Sequence, residues 1–182
     1  IMGSLPAAES LPTAAEVIVV VGASGATEYE RQFADWAGRW QAAAEKSRAH
    51  CLVIGQDTSP ISDRERLQAL LKSTPQETDR ELWLVLIGHG TYDRRAAKFN
   101  LRGPDVSAED LKGWLAPLKR PLVLIDTSAA SAPFLTQLAG PQRAIITATK
   151  SGGEQNFARF GGFLAEALID PSADLDKDDQ IS

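Results

Sequence analysis

A three-layer α/β sandwich around a mostly parallel sheet is the fold this sequence predicts, and three observations predict it. Apolar runs of strand length recur at 17–21, 51–54, 82–87, 121–125 and 143–149, with helical patterns between them. The central run, LWLVLI at 82–87, is continuous rather than alternating, which marks a strand buried on both faces as in a helix-covered parallel sheet. The intervening segments are short, which favours right-handed βαβ crossovers over long excursions.

Each element follows from local chemistry. Residues 1–15 carry Pro6, Pro12 and several Ala and Ser without periodicity, and read as a flexible lead-in opened by a tag-like Ile1-Met2-Gly3-Ser4. The β-branched run 17–21 stops at Gly22-Ala23-Ser24-Gly25, and a helix over 27–47 puts Tyr29, Phe33, Trp36, Ala37 and Trp40 on one face. After the second strand, Ser62-Asp63-Arg64-Glu65 has the spacing of a capping box and opens a helix through Leu67, Leu70 and Leu71. The central strand ends at Gly88-His89-Gly90. Residues 96–104 read as an irregular or hairpin excursion, and Ser107 caps a helix carrying Leu111, Trp114 and Leu115. The fourth strand breaks at Asp126-Thr127-Ser128, a short helix covers 134–138, the fifth strand runs over 143–149, and a last helix spans about 157–168. The α/β domain is thus 16–170, with an acidic segment at 171–182.

Composition narrows the classes of function. The chain has 182 residues, 43% of them hydrophobic, enough for one globular core. A net charge of -5 with no basic run argues against a nucleic-acid or anionic-membrane surface. No apolar stretch is long enough to span a bilayer, and no signal-peptide pattern opens the chain, so cytoplasmic and mature periplasmic or secreted locations are both compatible. Cys51 is the single cysteine, which excludes an intrachain disulfide and a cysteine-based zinc site.

Three motif readings fail on spacing. Gly22-Ala23-Ser24-Gly25 resembles the opening of a dinucleotide-binding turn, but Glu28 stands where a third small residue belongs, and no acid ends the second strand. A serine hydrolase of the nucleophile-elbow type lacks its Gly-x-Ser-x-Gly and has no late histidine, the only two being His50 and His89. Cys51 beside His50 starts a strand, at the sheet edge opposite His89, and reads as a small buried hydrophobe.

The productive pair is the central and fourth strands. If they are neighbours, His89 and the turn Asp126-Thr127-Ser128 emerge side by side at the carboxyl edge of the sheet, where α/β folds carry their chemistry. That is the layout of a nucleophile–histidine dyad, with the backbone amides of Gly90 and Ser128 available to an oxyanion. Ile87-Gly88-His89-Gly90 followed by Leu124-Ile125-Asp126-Thr127-Ser128 resembles the caspase and legumain-like cysteine peptidases, most closely bacterial caspase-like domains. The resemblance implies a peptidase fold in which Ser128 occupies the place of the cysteine nucleophile. A serine needs stronger general-base help than a thiol, and no carboxylate is evident to orient His89. Three origins fit: a cysteine replaced to trap an inactive form, a natural pseudo-enzyme, or a working serine variant. The rival reading is a non-catalytic module that binds extended peptides; in either case the partner is a peptide or protein and no cofactor is required.

The resemblance also implies that the segment after the fifth strand, with Thr149, Lys150, Ser151 and Glu154, lies along the substrate, where Glu154 would favour a basic residue. Finally, Asp174, Asp176 and Asp178 have the spacing of the first half of an EF-hand loop. The chain given stops before position twelve of that loop, so any calcium site is incomplete here.

Overall fold

The computed structural model describes residues 15–154, 156–175 and 177. The lead-in before Ala15 and the loop residues Asp176 and Asp178 lie outside the described residues.

Among the described residues, eight strands and five α-helices form the domain: β1 (Glu16–Val21), α1 (Thr27–Lys46), β2 (His50–Ile54), α2 (Asp63–Ser73), β3 (Leu82–Ile87), β4 (Gly90–Tyr92), β5 (Ala97–Phe99), β6 (Val106–Ser107), α3 (Ala108–Leu115), β7 (Leu122–Asp126), α4 (Ala132–Leu138), β8 (Arg143–Thr147) and α5 (Phe160–Ala167). The main sheet has the order β2-β1-β3-β7-β8, with all four pairings parallel. The order reverses between β1 and β3, so the carboxyl edge of that pair is the topological switch point of the fold.

The unbroken apolar strands are unbroken because both sheet faces are covered. On β3, Leu82, Leu84 and Leu86 face one core with Leu67 and Leu71 of α2, Leu111 and Leu115 of α3, and Phe134 of α4. Val85 and Ile87 face the other, with Phe33, Trp36 and Trp40 of α1 and Ala165 of α5. Alternation along each strand therefore sends successive side chains into two different cores.

The structure corrects three expectations and extends a fourth. The segment after His89, expected as an irregular or hairpin excursion, is a hairpin that starts at Gly90 and grows into an antiparallel three-stranded sheet, β4-β5-β6. It forms because Ala97 and Phe99 are buried in the first core while Lys98 between them is exposed, a period-2 pattern. The last helix begins at Phe160, which leaves Phe157 in the connecting loop. The fifth parallel strand ends at Thr147, two residues early: the Ala148 amide is shared between the Asp126 carbonyl and the Ser131 hydroxyl, and the Thr149 amide turns to that hydroxyl. Cys51 is half-buried rather than buried, since β2 is an edge strand and its central residues lack a neighbour on one side.

Candidate functional site

The site is built at the switch point. Past β1 and β3 the two chains run so close that a methyl group on Gly88 would lie 2.9 Å from the Phe99 ring and 3.2 Å from Gly22 Cα. Gly22 and Gly88 thus let the Phe99 ring close over the strand ends, and their role is packing. With Gly88 on the Phe99 side, the next residue points to the opposite face, towards α1. There the His89 ring meets Tyr29 edge-on at 4.8 Å, Phe33 at 5.2 Å and Phe157 at 5.9 Å. Its Nε2 lies 3.1 Å from the carbonyl oxygen of Ser24 in the turn after β1. A carbonyl only accepts, so Nε2 carries the proton, and in the neutral ring the lone pair sits on Nδ1. The orienting group absent from the sequence reading is therefore a backbone carbonyl. No residue type announces one, which is why only the structure reveals it. Phe157, the third ring around His89, was hidden inside a helix predicted to begin there.

The adjacent strand β7 delivers Asp126-Thr127-Ser128 to the same edge, since β3 and β7 pair with Leu86 opposite Asp126. Thr127 donates to the Leu86 carbonyl at 2.9 Å, which pins the turn to the end of β3. A methyl on Gly90 would collide with the Ala129 carbonyl and lie 2.6 Å from Ser128 Oγ, so this glycine is what allows the two turns to touch. His89, Gly90 and Ser128 are thus neighbours at one edge.

The hydrogen bonds differ from those of a dyad. Ser128 Oγ donates to Asp126 Oδ1 at 2.6 Å, and the Ser128 amide donates to the same oxygen at 3.0 Å. No hydrogen bond joins His89 and Ser128 among the described residues. The Ser128 amide, expected as an oxyanion donor, is turned instead onto the carboxylate two residues back. Ser128 is 1% exposed and Asp126 fully buried. Asp126 Oδ2 is buried without a hydrogen-bond partner among the described residues. Burial pushes the Asp126 carboxyl up to about 6, and the two bonds from Ser128 offset only part of that rise.

The substrate-segment residues lie beside this turn. The Ala130 amide donates to the Glu154 carbonyl at 2.8 Å, so the 149–154 segment is fastened to the Ser128 turn through its main chain. Thr149 is buried and its hydroxyl accepts from the Ala132 amide, at the start of α4. Lys150 and Ser151 are exposed, and the Ser151 hydroxyl donates to the Glu154 carboxylate at 3.2 Å. A cleft of about 420 Å³ opens here, lined by Thr149, Glu154, Phe157 and Arg159. A second, of about 570 Å³, opens across the switch point and is lined by Gly22, Ser24, Phe33, Gln56 and Arg102. Phe157 of the first and Phe33 and Ser24 of the second all contact His89, so the imidazole stands between the two clefts. Of the loop's three candidate calcium ligands, only Asp174 is among the described residues, half-buried beyond a short 3₁₀ turn. No cluster of three metal-ligating side chains is found among the described residues, and no helix there is long and apolar enough to cross a membrane.

No family model matches the sequence, and no curated protein matches it. Among solved structures, the Drosophila initiator caspase Dronc superposes with a TM-score of 0.52 at 14% identity, over 86% of this chain and 66% of that one. Raptor of Chaetomium thermophilum matches with a TM-score of 0.44 at 11% identity, over 69% of this chain and 13% of that one. The fold is caspase-like, and the chain spans just under two thirds of the Dronc chain.

Proposed function

We propose that this chain is a caspase-like peptidase-fold domain with Ser128 in the nucleophile position, inactive or nearly so as a peptidase, that retains a cleft for peptides. One observation carries the reading: the Ser128 hydroxyl is buried and donates its proton to Asp126, away from His89. Nucleophilic attack by serine requires a base that takes that proton while the oxygen faces the substrate. His89 is oriented by Ser24, with its lone pair on Nδ1, so the histidine half of a dyad is prepared while the hydroxyl half is withheld. Were the hydroxyl or a thiol to turn towards it, His89 would move the proton, and an oxyanion would need donors other than the engaged Ser128 amide.

The test restores the missing thiol. Wild-type protein is expected to hydrolyse no member of a fluorogenic peptide set above background. Ser128→Cys, with Asp126→Asn added to free the side chain from its buried acceptor, is expected to react with a thiol-reactive peptide probe, and His89→Ala in that background to abolish the reaction. A Ser128→Cys/Asp126→Asn protein that is folded yet inert to every peptide probe removes the peptidase reading.

A second reading, a non-catalytic module gripping extended peptides, is favoured by β8. Among the described residues this strand pairs with β7 alone, which makes it an edge strand, and Ile146 is 42% exposed upon it. Fluorescence anisotropy with extended peptides that bind equally well to His89→Ala separates this reading from the first. A dinucleotide on the 22–25 turn remains the remote reading, and Glu28 and Glu30 in the first turn of α1 would meet its phosphates.

A further inference from the structure

We infer that Asp126 is a positioning residue that holds the nucleophile position shut: its buried carboxylate takes both the hydroxyl and the amide of Ser128 onto one oxygen, and removing its charge releases them. The inference rests on the reading that position 128 is the nucleophile position, and adds to it what keeps that position out of use.

Four observations carry it. Both donors of Ser128 converge on Asp126 Oδ1, and the hydroxyl meets its other acceptor, the Ala129 carbonyl, at a longer 3.2 Å, so one group has the stronger hold on the side chain and the amide together. The bond from Oγ, at 2.6 Å, is in the range of charge-assisted O–H···O⁻ bonds, which are about twice as strong as neutral ones. Ser128 is 1% exposed, so a group held in this way is also out of reach. Among the described residues the second carboxylate oxygen has no hydrogen-bond partner, so there the carboxylate's hydrogen bonds come from Ser128. The titratable side chains on the surrounding elements offer no alternative: His89 is bound to Ser24, Glu154 takes the Ser151 hydroxyl, and neither they, Tyr92 of β4 nor Lys150 bonds to this carboxyl. A neutral acceptor in the same place binds the two donors more weakly, and an adjacent negative charge is lost at the same time.

The experiment compares Ser128→Cys with Ser128→Cys/Asp126→Asn, using iodoacetamide as a small probe that needs no peptide recognition, and peptide mass mapping to separate position 128 from Cys51. At pH 7.5 the double variant is expected to label at position 128 about tenfold faster, the effect of one unit of thiol ionisation. Adding His89→Ala to both proteins is expected to leave that ratio unchanged. Equal rates in the two folded variants, or a ratio that vanishes with His89, overturn the inference. Should Asp126→Asn fail to fold, the wild type supplies the test: the Ser128 amide proton shift and its exchange rate are followed by NMR from pH 7.5 to 5. Release predicts that the amide shift moves and its protection falls together as the carboxyl protonates. A protection that stays constant throughout overturns it. Failure of the peptide probe with a tenfold iodoacetamide ratio would remove the peptidase reading and leave the Asp126 contact as found, whereas the reverse result would do the opposite.

Discussion

At the scale of single residues, the site turns on which side chain receives the Ser128 proton. The sequence shows Asp126 as the residue that ends a strand, and its spacing to Ser128 is visible, but its burial is not. That burial makes Asp126 a liability to stability whenever it is ionised. Its folded pKa of about 6 lies above the unfolded value of about 3.9, so between those values the native state binds more protons than the unfolded one. Stability from this group therefore falls as pH rises from about 4 to about 6 and is flat above that. Asp126→Asn is expected to be more stable than wild type at pH 7.5, by up to about 3 kcal/mol, and no more stable at pH 4. Urea melts of both proteins at the two pH values check this, and a difference that ignores pH counts against it. Gly90 gives a second residue-level prediction. Gly90→Ala forces the Ala129 carbonyl and Ser128 Oγ to move, at a cost of about 1–3 kcal/mol by chemical denaturation.

Among the elements, legibility followed the strength of the local signal. Both predicted caps are present in full: Ser62 and Glu65 bond reciprocally at the start of α2, as do Ser107 and Asp110 at α3. Ser107→Ala should cost about 1 kcal/mol, read as a fall in melting temperature. The inner strands β1, β3 and β7 were legible because burial on both faces leaves their interiors apolar, and the edge strands β2 and β8 by their short apolar runs despite alternating exposure. The β4-β5-β6 sheet was legible only as an irregular or hairpin excursion, because its strands have only two or three residues and their pairing is fixed by where Phe99 packs, a tertiary fact. The end of α1 offers a case in which the residue contradicts the geometry. The amides of Arg48 and Ala49 bond back to Glu45 and Ala44 in a Schellman arrangement, and Arg48 adopts φ 58° where glycine is usual. Arg48 is exposed, so Arg48→Gly removes that strain without loss of packing and is expected to stabilise by about 1 kcal/mol, checked by denaturant midpoint. For the candidate site, the sequence showed which edge carries it and which residues stand there. The hydrogen bonds that decide its chemistry involve a carbonyl and a buried carboxylate, and neither has a spacing that marks it.

Across the whole molecule, the two edges of the sheet carry opposite electrostatics and contribute to the pH dependence of stability with opposite sign. The amino edge is tied by Arg120, whose side chain is fully buried and bonds to Glu16 at the start of β1, Thr74 after α2, and the carbonyls of Pro75, Arg80 and Glu81 leading into β3. Burial raises the Glu16 carboxyl, but the hydrogen bonds from Thr74 and Arg120 and the charge of Arg120 outweigh it and hold the group below its ordinary value. A lowered folded pKa contributes stability above the unfolded value and loses it as pH falls through the folded one, the opposite sign to Asp126. The wild-type stability curve is therefore expected to rise from strong acid as Glu16 ionises, then to decline towards pH 6 as Asp126 does. Arg120→Met removes the guanidinium donors of Glu16 and of three carbonyls and should cost about 3–5 kcal/mol at neutral pH. It should also make the acid limb shallower, because Glu16 loses the hydrogen bond and charge of Arg120 and keeps the Thr74 hydroxyl, while the decline towards pH 6 persists because Asp126 is at the far end of the strands. Thermal melts of wild type and Arg120→Met from pH 3 to 8 read both limbs at once, and an acid limb that keeps its full slope in the variant would place the acid sensitivity elsewhere.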